Sequence, residues 1–412
     1  MPESIIVGID IGTTKICTLV AKVDDKKNLE IIGVGLENSR GIEKGSVVDI
    51  EAASEAIALS IDKAEHTCRL EISSATVSLA GSHISSVNSR GVTPISKQIV
   101  DETDMTKAVE NARAIAIPHN REVIHVIQRG YSVDGQDGII NPLGMHGYRL
   151  EVETHIITAA GSTVDNLRKV VGNSGVDIDE FVLNPLASAE IVLTETEREM
   201  GVAVCDIGGG TTDLAIFIEG DIWHTAVQAI GGNHITKDIT HGLHLPFRKA
   251  EEIKRDHGHC LTRDIMADET FPVISFGEEQ AFSVNRRDLA MIVEARVEEI
   301  FQHLLLEIKR SGYDGLLPAG VVLTGGVSLL PGIVDLAQEV LGLPVRLGEP
   351  LLKNEVLKDF NSPMFSTSVG LLYWMVQMNE YHPRMAHAVK RTANQADRIW
   401  SKINSALKRF LP

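Results

Sequence analysis

Asp10 and Asp206 each end an apolar run and open a short turn rich in glycine and threonine: Asp10-Ile-Gly-Thr-Thr-Lys15 and Asp206-Ile-Gly-Gly-Gly-Thr-Thr-Asp213. Glycine accepts positive φ and carries no side chain, so backbone N–H groups in such a turn can close on phosphate oxygens. The hydroxyls of Thr13, Thr14, Thr211 and Thr212 add donors without adding charge. A carboxylate repels phosphate, but it can hold a hydrated Mg2+ that binds phosphate. Asp10 and Asp206 are therefore the candidate metal-side residues. Gly12, Lys15, Gly208, Gly209, Gly210 and Asp213 complete two turns suited to gripping a nucleotide triphosphate from opposite sides.

Each turn lies between two runs that read as buried strands. Ile5–Ile9 and Ile16–Val20 flank the first, and Val202–Cys205 and Leu214–Ile218 flank the second. The chain therefore reads as an internal duplication. Other phosphate signatures fail: Gly12-Thr-Thr-Lys15 lacks the P-loop spacing, and no G-x-G-x-x-G follows a strand and opens a helix. A third turn, Thr324-Gly325-Gly326-Val327, follows the strand-like Val321–Leu323. It precedes an apolar-periodic segment expected to be a helix from near Leu330, which would aim free N–H groups at an adenosine or phosphate edge.

These three motifs resemble the phosphate 1, phosphate 2 and adenosine motifs of the actin, Hsp70 and sugar-kinase superfamily. Asn184-Pro-Leu-Ala-Ser-Ala189 and Phe365-Ser-Thr-Ser-Val-Gly370 resemble its two connecting helices, which cross at the hinge. Ala250-Glu251-Glu-Ile-Lys254 matches the superfamily's Glu-x-x-Lys, which implies that Glu251 and Lys254 flank ribose and adenine. Several stretches narrow the resemblance to the FtsA family of bacterial cell-division proteins: Ser39-Arg-Gly-Ile-Glu-Lys-Gly45, Ala80-Gly-Ser-His-Ile84, Thr93-Pro-Ile-Ser96, Leu193-Thr-Glu-Thr-Glu-Arg-Glu-Met-Gly201 and Ser366-Thr-Ser-Val-Gly-Leu-Leu372. The likeness runs from about residue 4 to the end of the chain.

What the resemblance implies is an α/β protein: an actin-like, duplicated ribonuclease-H-like, two-lobed ATPase fold. Subdomain 1A would take residues 1–82 and 159–196, the FtsA-type 1C insertion 83–158, subdomain 2A 197–231 and 304–378, and subdomain 2B 232–303. A linker over 379–395 and a membrane-targeting helix over 396–412 would follow. Within the insertion, the residues themselves read as strands at Val123–Ile127 and Glu151–Ile157. A helix over Asp104–Ile115 would carry Met105, Ala108, Val109, Ala112 and Ile115 on one face.

At 412 residues and 43% hydrophobic, the chain can bury two or three cores. No apolar run approaches a bilayer span and Met1-Pro-Glu-Ser is no signal peptide, so a cytosolic protein is expected. Cys17, Cys68, Cys205 and Cys260 show no C-x-x-C spacing and read as reduced thiols. His234, His241, His244, His257 and His259, with Cys260, do not match a zinc-finger interval. The net charge of −17 argues against nucleic acid as a partner. Residues 384–412 nevertheless hold seven Lys or Arg against one acid, Asp397; this local +6 leaves −23 on the rest of the chain. Such asymmetry marks an appendage with its own partner.

That appendage has a helical pattern. Ile399, Trp400, Ile403, Leu407, Phe410 and Leu411 fall on one face, with Arg398, Lys402, Lys408 and Arg409 mainly on the remainder, the composition of an in-plane membrane helix. A terminal helix docked on the protein's own core is the competing reading. The family resemblance implies ATP and Mg2+ as ligands. It also implies an adaptor at the cytoplasmic face of the membrane that anchors the tubulin-like protein FtsZ, self-assembles as an actin homologue and meets other divisome proteins.

In that family the 2B lobe takes up the FtsZ C-terminal peptide; Arg286, Arg296 and Glu299, on and just before a long helix expected over Leu289–Lys309, match best. PilM-like or MreB-like scaffolds of the same superfamily are alternatives. A sugar or acetate kinase is a further one, although no confident catalytic base is evident. For hydrolysis, Glu190 and Asp213 are the polar candidates for orienting water; neither is assigned, and weak ATPase activity at most is expected.

Overall fold

The computed structural model describes residues 4–114, 117–274, 281–350 and 360–381. Two five-stranded sheets repeat a single strand order. In the first, Leu29–Asn38, Lys15–Val23, Ser4–Ile11, Ser74–Leu79 and Asp177–Leu183 lie side by side; in the second, Asp221–Gln228, Thr212–Ile218, Val202–Ile207, Val321–Thr324 and Val345–Leu347 do. Each sheet starts as an antiparallel meander and switches to parallel pairing at its third strand. The duplication expected from the two turns is thus a duplication of topology.

Packing explains the composition of these strands. Every residue of Val202–Ile207 and Thr212–Ile218 is buried, as near-continuous apolar runs are in a sheet covered on both faces. The Ile50–Cys68 helix covers the first sheet with Ala53, Ala56, Ile57, Ile61 and Ala64, and Asp49 caps its start by accepting from the Ala52 N–H at 3.1 Å. The Arg286–Ser311 helix covers the second sheet with Leu289, Val293, Val297, Ile300, Phe301, Leu304 and Ile308.

Between the halves run two helices, Asn184–Val192 and Ser366–Tyr381. They cross in contact because residue 370 is glycine: a Cβ there would lie 1.9 Å from the Ala187 carbonyl oxygen. The helix expected from near Leu330 begins at Ile333 instead. Gly326–Leu329 forms a 3-10 turn first, and Pro331 with Gly332, at φ +79°, delays the α-helix. The glycine turn at 325–326 is therefore one short turn removed from the helix N-terminus.

The insertion is a separate four-stranded sheet, in the order Ser85–Pro94, Arg149–Ala160, Arg121–Val133, Gln136–Ile139. The Glu102–Arg113 helix packs on it, begun by an Asp101/Asp104 capping box. Ala108 and Ala112 are fully buried and Met105 and Val109 pack beside them; Ile115 lies outside the described residues. One edge of this sheet meets the second half of the molecule. Ser86 Oγ donates to the Thr225 carbonyl at 2.8 Å, and Asn88 Nδ2 donates to the Trp223 carbonyl at 3.2 Å. His155 bridges Asn88 Oδ1 at 2.7 Å and Thr225 Oγ1 at 2.9 Å, while the Arg129 guanidinium stands 3.9 Å over the Trp223 ring. Burial pushes His155 down to about 3, so it bridges as a neutral imidazole.

Candidate functional site

The two turns face each other across the cleft between the sheets. Both close identically, Gly12 N–H donating to the Lys15 carbonyl and Gly208 N–H to the Thr211 carbonyl, each at 2.9 Å. They approach so closely that a Cβ on Gly209 would lie 2.3 Å from Thr14 Cγ2, and one on Gly210 would lie 2.4 Å from Thr13 Oγ1. The pairing is reciprocal, with 13 opposite 210 and 14 opposite 209. Behind the turns opens a cavity of about 730 Å3.

Asp10, Gly12, Thr13, Thr14, Lys15, Asp206, Gly208, Gly209, Gly210, Thr211, Asp213, Glu251, Lys254, Gly325 and Gly326 all line that cavity. Thr212 does not. It sits one residue further along the strand, buried, with its hydroxyl donated to the Ile230 carbonyl at 2.8 Å.

The two aspartates stand in different surroundings. Asp10 Oδ2 accepts from Lys15 Nζ at 2.8 Å and from Ser368 Oγ at 2.7 Å, and its Oδ1 accepts from Ser78 Oγ at 3.2 Å. Burial favours neutral Lys15, but the adjacent Asp10 outweighs it and holds the ammonium above its usual range. Asp206 Oδ2 accepts from Thr367 Oγ1 at 2.7 Å. Burial, opposed by that hydroxyl and reinforced by Asp10, pushes Asp206 up to about 6. Asp213 is pushed up further, by burial and then by Asp206; Thr211 donates to its Oδ2 at 2.9 Å, while its buried Oδ1 lacks a hydrogen-bond partner.

At the other end of the cavity, Lys254 Nζ donates to Glu251 Oε2 at 2.6 Å, to Thr236 Oγ1 at 2.9 Å and to the Gly232 carbonyl at 3.2 Å. Burial lowers Lys254, with Glu251 opposing. This pair is not a solvated helix rung; it is fixed against the cavity wall.

These residues fit a Mg2+-nucleotide. Mg2+ is held in such sites by one or two carboxylates together with substrate phosphates and water, so a dedicated cage of protein ligands is not needed. Among the described residues no group of three or more His, Cys, Asp or Glu side chains is placed to hold a metal by itself. The crowded carboxyls of Asp206 and Asp213 are the charge that a cation would offset. The histidine patch has local structural roles instead: His257 stacks on Phe271 at 4.2 Å, His259 Nδ1 accepts from the Leu261 N–H, and His234 Nδ1 accepts from the Gly231 N–H.

Glu190 does not line the cavity; it pairs with Arg198 at 3.1 Å. Asp213 remains as a cavity-lining carboxyl beside the second turn, with a buried oxygen that lacks a hydrogen-bond partner. Arg286 and Arg296 both lie on the Arg286–Ser311 helix and both are paired: Arg286 with Glu269 at 2.6 Å, and Arg296 with Asp238 at 2.5 Å and with Glu299. Ten residues of helix separate them, roughly 15 Å along the axis. Ile399, Trp400, Ile403, Leu407, Phe410 and Leu411 lie outside the described residues. No helix among the described residues is long and apolar enough to cross a membrane.

Sequence reasoning missed Ser78, Thr367 and Ser368, the hydroxyls that hold the aspartates. The run Ser366-Thr-Ser368 at the head of a connecting helix was the available signal.

A duplicated sheet with facing turns and two crossing helices defines an actin-like protein, and solved structures agree on that fold. The PilM-PilN type IV pilus biogenesis complex matches at TM-score 0.64 and 18% identity, over 90% of this chain and 98% of that one. MreB5 of Spiroplasma citri bound to ADP matches at 0.54 and 14% identity, over 94% and 98%. Family models for "Cell division protein FtsA" and for the "SHS2 domain inserted in FTSA" match residues 203–370 and 81–158. Cell division protein FtsA of Pseudomonas aeruginosa is 41% identical over 98% of this chain and 97% of its own length; that of Escherichia coli K12 is 37% identical over 99% and 98%. The chain belongs to the FtsA family of cell-division proteins.

Proposed function

We propose that the protein binds Mg2+-ATP between its two turns and works as a membrane adaptor for FtsZ rather than as a metabolic enzyme. The observation that carries the nucleotide reading is the pair of reciprocal turns, each with a strand-end aspartate, around one cavity of about 730 Å3. The turns and Thr13, Thr14 and Thr211 would hold phosphates, Asp10 and Asp206 the hydrated metal ion, and Glu251 and Lys254 the ribose and adenine end. MreB5, which shares the fold, was solved bound to ADP, and this supports a nucleotide as the ligand here. Mg2+ would supply the charge that lets two carboxylates and a triphosphate share a site.

The subdomain division follows the family: a 1C lobe over about 83–158 that contributes to contacts between protomers, and a 2B lobe over about 232–303 that takes the FtsZ tail. Arg286, Arg296 and Glu299 are the proposed peptide contacts; an acidic peptide would exchange places with Glu269 and Asp238. The 396–412 segment would lie in the membrane surface. One such helix binds marginally, and a filament of protomers multiplies it by avidity.

Co-flotation tests the whole reading. Purified protein is mixed with anionic vesicles and fluorescent FtsZ tail peptide, with and without Mg2+-ATP. The parent should carry peptide to the top of the gradient. Trp400→Glu should leave the protein at the bottom, and Arg286→Ala with Arg296→Ala should float without peptide. A Trp400→Glu protein that still floats would make the tail a docked helix and remove the membrane arm of the proposal.

A further inference from the structure

Three consecutive hydroxyls head the Ser366–Tyr381 helix, and each bonds a different strand end. Ser366 Oγ lies 2.7 Å from Thr324 Oγ1, at the end of the strand that leads to Gly325. Thr367 Oγ1 donates to Asp206 Oδ2 at 2.7 Å. Ser368 Oγ accepts from Lys15 Nζ at 3.2 Å and donates to Asp10 Oδ2 at 2.7 Å. All three of these side chains are nearly or fully buried. Asp10 and Asp206 belong to opposite halves of the molecule, yet neighbouring residues of one helix hold them.

Resting on the Mg2+-ATP reading, we propose that Thr367 and Ser368 are positioning residues for the two aspartates. Two hydroxyls on adjacent residues of a helix are fixed relative to each other by the backbone, so the carboxylates they hold are fixed in spacing too. Thr367 and Ser368 therefore preset the gap between Asp10 and Asp206 ahead of ligand binding. That removes an ordering cost that would otherwise fall on cation binding.

The geometry also limits how this happens. Each hydroxyl has one proton and gives it to a carboxylate, so its contribution is a single directed donor. Valine at 367 keeps the shape and the β-branch but removes the donor; serine at 367 keeps the donor. These substitutions separate donation from packing.

The experiment measures ATP affinity with Mg2+ and with EDTA for the parent, Thr367→Val, Ser368→Ala, the double variant and Thr367→Ser. In the double variant the affinity gained on adding Mg2+ should fall at least tenfold, while affinity in EDTA stays within about twofold, and Thr367→Ser should keep the parental gain. A role in packing alone would lower both affinities together and would not distinguish valine from serine. An undiminished Mg2+ gain in the double variant, or an equal loss in EDTA, overturns the inference while leaving the nucleotide reading standing. A parent that shows no Mg2+-dependent ATP binding overturns the nucleotide reading itself, and this inference with it.

Discussion

The two turns close with the same backbone hydrogen bond, and two of the positions at which they differ decide the charge around each aspartate. Across the strand pair from the aspartate, the first hairpin has Cys17 opposite Asp10, and the second has Asp213 opposite Asp206. At the end of the turn, the first has Lys15 where the second has Thr211. One aspartate is therefore neutralised by a half-buried ammonium, and the other is crowded by a second carboxyl. The duplication supplied a symmetric cradle, and these two exchanges gave it a satisfied side and an unsatisfied side. Charge imbalance in the cleft is concentrated in the second half.

The sharpest way to break that comparison is to make the same substitution on both sides. Asp10→Asn leaves the half-buried Lys15 without its carboxylate and should cost on the order of 2 kcal/mol of stability. Adding Lys15→Met should recover part of the loss, and denaturant melts of the single and double variants would read it as a coupling energy. Asp206→Asn should do the opposite, raising the stability of the protein without nucleotide by on the order of 1–2 kcal/mol while weakening Mg2+-dependent ATP binding. Two variants that shift the melt in the same direction would abolish the distinction between the halves.

A smaller effect is its pH dependence. Asp206 titrates near 6 in the folded protein, above its ordinary range near 3.8. A carboxyl raised on folding binds more protons folded than unfolded across that window, so its contribution to stability falls as pH rises from about 4 to about 6. The advantage of Asp206→Asn over the parent should therefore be near zero at pH 4, grow through that interval and level off above it. Melting both proteins from pH 4 to 8 checks the sign. Smallest of all, Asp213→Asn should leave Mg2+-ATP affinity within about threefold and still raise stability, because burial drives its shift first and Asp206 second. Calorimetric titration alongside a melt reads both.

The fold was legible because its signal is local and repeated. Asp-Ile-Gly at the end of an apolar run marks a strand and its turn, and finding it twice reveals the duplicated sheet. Much of the cavity lining was legible for the same reason, since nearly half of it comes from turn residues a few positions apart. What escaped was whatever depends on distant chain meeting: Ser78 on Asp10 across 68 residues, Thr367 on Asp206 across 161, Ser368 on Asp10 across 358. Glu190 misled because position on a connecting helix suggested a view of the phosphates, whereas Arg198 holds it on another side. Thr212 misled by one residue, since alternation along a strand turns neighbours to opposite faces.

The bonds from the insertion to the Asp221–Gln228 strand have a kinematic consequence. A two-lobed body joined only where its helices cross at Gly370 and Ala187 could gape like a clam. Here a second tether, made by Ser86, Asn88, His155 and Arg129, fixes another point of the first half to the second. The insertion therefore braces the Asp221–Gln228 edge of the second sheet, and a load on the insertion passes to that sheet through these residues.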